Sequence, residues 1–215
     1  MTKHMKIDFV SDVSCPWCVI GLRGLEEALD RAGDAVTAEL HFQPFELNPD
    51  MPPEGQNLVE HITRKYGITE AQSAENRQMI ADRAASLGFT MARDENSRIW
   101  NTFDAHRLLH WAGLVGRQRE LKHALFEAYF TQGKSPGDHA VLLEAATKAG
   151  LDPTETQAIL ASDRYADDVR RAEEIWRRNG INAVPAVIIN DRYLISGGQP
   201  PDAFERALRQ IAAES

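Results

Sequence analysis

Ile7-Asp8-Phe9-Val10-Ser11-Asp12-Val13-Ser14-Cys15-Pro16-Trp17-Cys18 is the stretch that decides how the chain is read. The apolar, β-branched run from Ile7 to Val13 predicts a short strand. It leads straight into a helix start at Ser14 or Cys15, with Pro16 tolerated in the first turn. From Cys18 the apolar residues Ile20, Leu22, Leu25, Ala28 and Leu29 recur at helical spacing until Gly33, which predicts a helix to about Ala32. Val36, Ala38, Leu40 and Phe42 then alternate, the signature of a second strand. Strand, helix and strand make one β-α-β unit, with both cysteines of the chain at its first turn.

Cys15 and Cys18 lie three residues apart on a first helical turn, so their sulfurs share one face and can close a disulfide. Cys15 sits where unpaired backbone N–H groups and the positive end of the helix dipole converge. That position favours thiolate over thiol and makes Cys15 the expected nucleophile. Cys18, one turn inside, is the expected resolving thiol that attacks a mixed disulfide formed on Cys15. Pro16 and Trp17 carry no charge, which leaves the helix terminus as the expected source of thiolate stabilisation. Two small residues falling at helical spacing by chance is the plain alternative. The preceding strand, the helix start, Pro16 and a later Val184-Pro185 opening a strand jointly disfavour it. A zinc site is also disfavoured, and no metal is expected. His106 and His110 offer H-x3-H, but zinc fingers normally place only about 12 to 15 residues between the two ligand pairs, and Cys18 is far from His106.

Outward from this unit, Asn48-Pro49-Asp50-Met51-Pro52-Pro53-Glu54-Gly55 reads as a loop. Apolar residues three or four apart then predict helices over 58–66, 70–87, 98–114, 117–132, 138–149 and 154–160, punctuated by Gly, Pro and Asp. Another helix, 164–178, ends at Asn179-Gly180. Val184 to Ile189 predicts a strand, Tyr193 to Ser196 its hairpin partner, and Pro201 to Ala213 a closing helix. The order is β-α-β, helical block, α-β-β-α. Strands must share a sheet to satisfy their backbones, so the first and last parts belong together with the block packed on them as a lid.

The chain has 215 residues and a formal net charge of -8, with a pI near 5.4. That length buries a core without structural disulfides, and the acidic balance argues against nucleic acid as a partner. The start lacks the apolar stretch of a secretory signal, and no segment has the apolar length of a membrane span, so no membrane partner is expected and the location expected is cytoplasmic. In a reducing compartment a structural disulfide is disfavoured, which points the cysteine pair to chemistry.

The sequence resembles the DsbA family of thioredoxin-like proteins, and within it the FrnE-like subfamily. The matching residues are Asp12 to Cys18 with Gly21, Asn101-Thr102, Ala105-His106-Arg107, Val184-Pro185 and Gly197-Gly198-Gln199-Pro200-Pro201. The likeness implies an α/β thioredoxin-like fold with a large all-helical insertion: a discontinuous core, 1–56 and 161–215, and an insertion, 57–160. It implies a thiol–disulfide oxidoreductase, with disulfide isomerase activity in its range, acting on protein or small thiol substrates. It also implies that Pro185 is a cis-proline facing the cysteines, leaving the Val184 backbone open to a bound peptide. From residues alone, Pro185 reads equally well as a trans proline at a strand start. Some FrnE-like proteins carry a second cysteine motif towards the C-terminus. This chain has only Cys15 and Cys18, so electrons must pass to or from a separate partner, with glutathione as a candidate co-substrate and no bound cofactor.

The competing reading is a glutathione-dependent transferase or isomerase of the kappa and chromene-carboxylate isomerase type, which generally has serine where Cys15 stands. A non-catalytic binding module is a third. Pro16, Trp17, Val184 and Pro185 are the expected substrate-facing residues, joined by Asn101 and His106 if the segment Asn101 to His110 lines the cleft. Trp100, Phe103, Leu108, Leu109 and Trp111 read as core, Asp167 to Arg178 as a solvated helix face, and a homodimer is left open.

Overall fold

The computed structural model describes residues 2–92, 94 and 96–214. Its central strand is β1 (Lys3–Ser11), which pairs in parallel with β2 (Val36–Pro44) from Lys3 opposite Val36 to Ser11 opposite Pro44. The connection between them is α1 (Pro16–Ala32) and a short 3-10 turn, Gly33–Ala35. β1 therefore begins four residues before the expected Ile7 and stops before Val13. The hydrophilic start Lys3-His4 carries no strand signal of its own and is extended by backbone pairing to Val36 and Thr37. At the other end the Asp12 carboxylate accepts the Ser14 N–H at 3.3 Å, and this local turn ends the ladder.

On its other edge β1 pairs antiparallel with the late strand β5 (Ala186–Ile189), which hairpins to β6 (Tyr193–Ser196), giving the order β2-β1-β5-β6. Helix α9 (Pro201–Glu214) packs on α1. Met5, Ile7 and Phe9 of β1 enter one core with Leu22 and Leu25 of α1, Val187 and Ile189 of β5, and Phe204, Leu208 and Ile211 of α9. Val10, on the opposite face, packs with Phe45, Ile181 and Ala186. A central strand covered on both faces reads as a near-continuous apolar run, which is why this one was conspicuous in the sequence.

The intervening chain supplies α2 (Leu58–Tyr66), α3 (Glu70–Ser86), α4 (Phe103–Leu114), α5 (Gln118–Phe126), α6 (His139–Lys148), α7 (Pro153–Leu160) and α8 (Ala166–Arg178). Their starts follow capping chemistry: Thr69 with Gln72 forms a capping box, and Asn57, Asp138 and Asp152 accept N-terminal N–H groups. The expected helix over 98–114 begins only at Phe103. Arg98–Ile99 instead form a strand, β4, antiparallel to β3 (Gln56–Asn57), so the expected all-helical segment also contains a two-residue ribbon. Ile99 there meets Met51 and Leu58 in a small apolar cluster. The expected helix over 117–132 changes to a π-helical stretch over Glu127–Thr131.

A second large core joins α4 to α7 through Leu108, Trp111, Leu121, Leu142 and Ile159, and Val13 is part of it. The residues just before Cys15 are thus held in the helical core, whereas Cys15 and Cys18 belong to the sheet core. Buried Arg107 ties α4 to the carbonyls of Ile159 (2.6 Å) and Arg164 (2.9 Å).

Helix α8 departs from the reading of a solvated face. Glu173 is fully buried, accepts the Glu46 N–H at 2.9 Å and is bonded by Arg170 at 3.0 Å. Arg170 also bonds the Glu46 carboxylate and lies 3.8 Å from the Phe103 ring centroid. The charge-rich sequence concealed one inward carboxylate and the arginine that neutralises it.

Candidate active site

Cys15 is the N-cap of α1 and Pro16 its first residue, so the absent proline N–H falls at a position that would have no partner within the helix. The turn is closed by the Cys15 N–H to Asp12 carbonyl bond (3.3 Å) and the Cys18 N–H to Cys15 carbonyl bond (3.1 Å). Both sulfurs are free. Cys15 is 4% exposed and Cys18 0%, so Cys18 is the deeper of the two. Burial, a hydrogen bond with Cys15 and the charge of Cys15 push the Cys18 thiol well above its ordinary range, while the charge of Lys122 pulls the other way. A thiol of that kind stays protonated until something nearby takes its proton.

Across from the turn, the Val184–Pro185 peptide bond is cis, and the Cys15 thiol donates to the Val184 carbonyl at 3.6 Å. The Pro185 carbonyl accepts the Gly197 N–H at 2.8 Å, which fixes the two loops to one another. Helix α1 reaches both loops only because it carries Gly21 and Gly24. A Cβ on Gly21 would stand 2.9 Å from Pro185 Cγ, and one on Gly24 2.7 Å from the Gln199 carbonyl oxygen. Gly198 answers from the loop side, where a Cβ would be 2.8 Å from the Trp17 carbonyl oxygen. Trp17 itself is half-buried, with the Arg83 guanidinium of α3 5.5 Å from its ring centroid.

Beneath the turn lies a polar cluster built around Asp12. This buried carboxylate accepts from Ser14 Oγ (3.0 Å), the Leu47 N–H (2.8 Å) and His106 Nε2–H (3.3 Å). Burial alone would raise its pKa. The His106 hydrogen bond and charge, the Leu47 N–H and the Thr102 hydroxyl outweigh that and hold Asp12 at about 2. Glu46, also buried, is displaced in the opposite direction by desolvation and the charge of Glu173, with His106 and Arg170 opposing. Lys122 of α5 is 1% exposed, and burial brings its ammonium down to about 8 against the pull of Cys18, Asp12 and Cys15.

The fold brings Cys15, Pro16, Trp17, Cys18, Val184 and Pro185 into one locus. His106 reaches the same locus indirectly, through the Asp12 carboxylate. Asn101 is placed differently: its Oδ1 accepts the Phe103 N–H at 2.9 Å, and its Nδ2 faces the Pro49 and Met51 carbonyls at 3.5 Å. It secures the start of α4 against the preceding loop. His110 lies against Tyr165 with ring centroids 5.2 Å apart and the planes tilted by 41°. Among the described residues no group of three or more His, Cys, Asp and Glu is arranged to hold a metal.

Asp12, Ser14, Arg83 and Lys122 are the residues that sequence reasoning left out of the site. A signal existed for one of them. Lys122 stands on the buried stripe of its helix with Leu121, Leu125 and Phe126, at a position where an apolar residue would keep the period. Asp12 falls within the stretch expected as strand, Ile7 to Val13, and its partner His106 comes from a distant helix.

The family model of the DSBA-like thioredoxin domain matches residues 6–209. The chain belongs to that family, and its architecture is the thioredoxin-like α/β fold with a helical insertion. The crystal structure of the "probable DsbA oxidoreductase" of Streptomyces coelicolor has a TM-score of 0.92 at 34% identity, covering 99% of this chain and 92% of its own. "Uncharacterized protein YwbO" of Bacillus subtilis is 29% identical over 209 residues, 97% of this chain and 96% of its own. Cytosolic disulfide reductase DsbM of Pseudomonas aeruginosa, solved with GSH, shares the fold at a TM-score of 0.63 and 17% identity, over 97% of this chain and 99% of its own. No helix among the described residues is long and apolar enough to cross a membrane.

Proposed function

We propose that this protein is a thiol–disulfide oxidoreductase of the FrnE-like kind, working in the cytoplasm through Cys15 and Cys18. The observation that carries this reading is the placement of Cys15: at the N-terminus of α1, above a deeper free thiol, and against the Val184 carbonyl beside Pro185. Cys15 thiolate attacks one sulfur of a substrate disulfide, forming a mixed disulfide and releasing the other sulfur as a thiolate. Cys18, once deprotonated, attacks Cys15 Sγ, so that the Cys15–Cys18 bond forms as the substrate sulfur leaves with its electron pair. The substrate is reduced by two electrons and the pair oxidised by two. Run backwards, the same steps oxidise a dithiol.

Pro16, Trp17, Val184 and Pro185 form the surface a substrate meets, and His106 acts by holding Asp12 and with it the turn. The substrate is a protein or small-molecule disulfide or thiol, and the second couple belongs to a separate donor or acceptor such as glutathione. The transferase and isomerase reading is weaker, because a protein thiol stands where such an enzyme needs room for a bound glutathione sulfur. Intact mass after equilibration across reduced-to-oxidised glutathione ratios tests the proposal, with Cys15→Ser as control. A loss of two hydrogens with a definable midpoint, absent in the control, is the expected result. A protein that stays dithiol at every ratio while retaining glutathione non-covalently would overturn it.

A further inference from the structure

A cavity of about 250 Å³ opens between β2, α4 and α5. The chain carries a net charge of -8, yet no aspartate or glutamate lines this cavity, whereas Lys122 and three histidines, His41, His106 and His110, do. Leu114, 66% exposed, and His41, with a side chain 39% exposed, form its mouth, and Lys122, 1% exposed, lies at the bottom. Most polar groups of the lining are already occupied. Gln118 accepts the Phe42 N–H at 2.9 Å and donates to the Phe42 and Leu109 carbonyls at 3.0 and 3.1 Å, which pins α5 to the free edge of β2. Gln43 donates to Asp8 at 2.6 Å, His106 Nε2–H is engaged with Asp12, and His41 Nε2 lies 3.1 Å from the Glu39 carboxylate. Lys122 is the exception. Among the described residues its ammonium makes no salt bridge and no hydrogen bond, and it stands over the rings of Phe126 (4.9 Å to the centroid) and Phe42 (6.0 Å). Asp12, which acts on it electrostatically, spends its bonds on His106, Ser14 and Leu47. Aromatic faces favour a cation but do not replace its hydration. An unpaired cation at the bottom of a cavity that opens to the surface calls for an anion from outside.

We propose that this cavity binds a small monocarboxylic acid with an apolar body, its carboxylate seated on Lys122 and its body lying against Phe42, Leu109 and Leu114 towards the mouth. Charge decides the class. A single cation compensates a single negative charge, and a dianion such as phosphate would leave one charge buried without a partner. The apolar walls favour a ligand that is not charged throughout. His110 makes no side-chain hydrogen bond among the described residues and is available to donate to the second carboxylate oxygen from α4. Size agrees with the same class. An apolar cavity of roughly 150 Å³ takes up benzene, so one of about 250 Å³ has room for a ring bearing a carboxylate. Burial has brought the Lys122 ammonium down to about 8, which leaves it mostly charged at neutral pH. No cysteine lines the cavity, so the site stands or falls independently of the oxidoreductase reading.

The test is a titration of the full chain with benzoate and with its neutral isostere benzamide, followed by the backbone amide signals in NMR. Benzoate should give saturable shifts centred on Phe42, Gly113 and Gln118. It should bind at least about tenfold more tightly than benzamide, the ratio expected of a charge-assisted contact. Lys122→Met should abolish that preference and bind the two alike. The inference is overturned if no saturable shifts appear, if they centre elsewhere, or if wild type binds benzoate and benzamide equally. A benzoate preference that survives Lys122→Met would overturn it too, as would inorganic phosphate saturating the same amides more tightly than benzoate. Should Lys122→Met fail to fold, the benzoate-to-benzamide ratio in wild type and the location of its shifts still decide. A protein without a Cys15–Cys18 couple would sink the oxidoreductase reading and leave this one untouched.

Discussion

Asp12 and Lys122 have opposite consequences for stability, and each can be read from the sign of its displacement. Asp12 is held at about 2, below its value of roughly 3.9 in an unfolded chain. Its contribution is therefore complete above pH 4 and is lost as the pH falls towards 2, and by linkage it amounts to about 2 kcal/mol. Asp12→Asn should lower stability by about that amount at pH 7 and by progressively less in acid, measured by urea unfolding at a series of pH values. Lys122 lies at about 8, below the unfolded value of roughly 10.4, so the unfolded chain binds more protons between those values. Measured against Lys122→Met in the same redox state, wild type should gain about 3 kcal/mol as pH rises from 8 to 10, and Lys122→Met should be the more stable of the two at pH 7. A flat difference between the two proteins across that range would count against the placement of the lysine. At this scale the cysteines were legible because a local pattern announces them. The partners of the turn were not, since His106 meets Asp12 only after α4 has folded against the sheet, and Glu173 is hidden in a run of charges.

Helix α1 owes its position to small residues on the side facing the Pro185 and Gly198 loops. Gly24→Ala should destabilise the protein by about 1 to 3 kcal/mol, because the new Cβ meets the backbone carbonyl of Gln199 and not a side chain that can swing away. Gly21→Ala meets the ring of Pro185 and should also slow the reaction of Cys15 with iodoacetamide or a disulfide, as the loop bearing Val184 is displaced. Thermal melts and alkylation rates check the two effects, and unchanged rates in Gly21→Ala would show that the loop is not held by this contact. Elements were the most readable level of the sequence. The 3.6-residue spacing and the capping residues located α2, α3, α6 and α9 to within a residue or so. What escaped was structure made by pairing alone: the first four residues of β1, the Gln56–Asn57 and Arg98–Ile99 ribbon, and the π-helical end of α5. None of these leaves a periodic trace.

The two large cores meet at the turn, with Val13 in one and Cys15 and Cys18 in the other. His106 and Arg83 both reach the turn from helices of the intervening segment, so neither core completes the site alone. Unfolding should accordingly be a single transition, with near-ultraviolet and far-ultraviolet circular dichroism coinciding in denaturant. Separate midpoints would show that the helices and the sheet fold independently and that the turn is assembled afterwards. The element order and the likeness to a known family made this architecture legible, but the traffic of side chains between its two parts was not. Because the carboxylate that holds the turn is itself held by His106 of α4, and Trp17 lies under Arg83 of α3, the setting of the two cysteines is composed partly in helices that share no sequence motif with them. A change in either helix would then be felt at the cysteines while the turn's own sequence stayed the same.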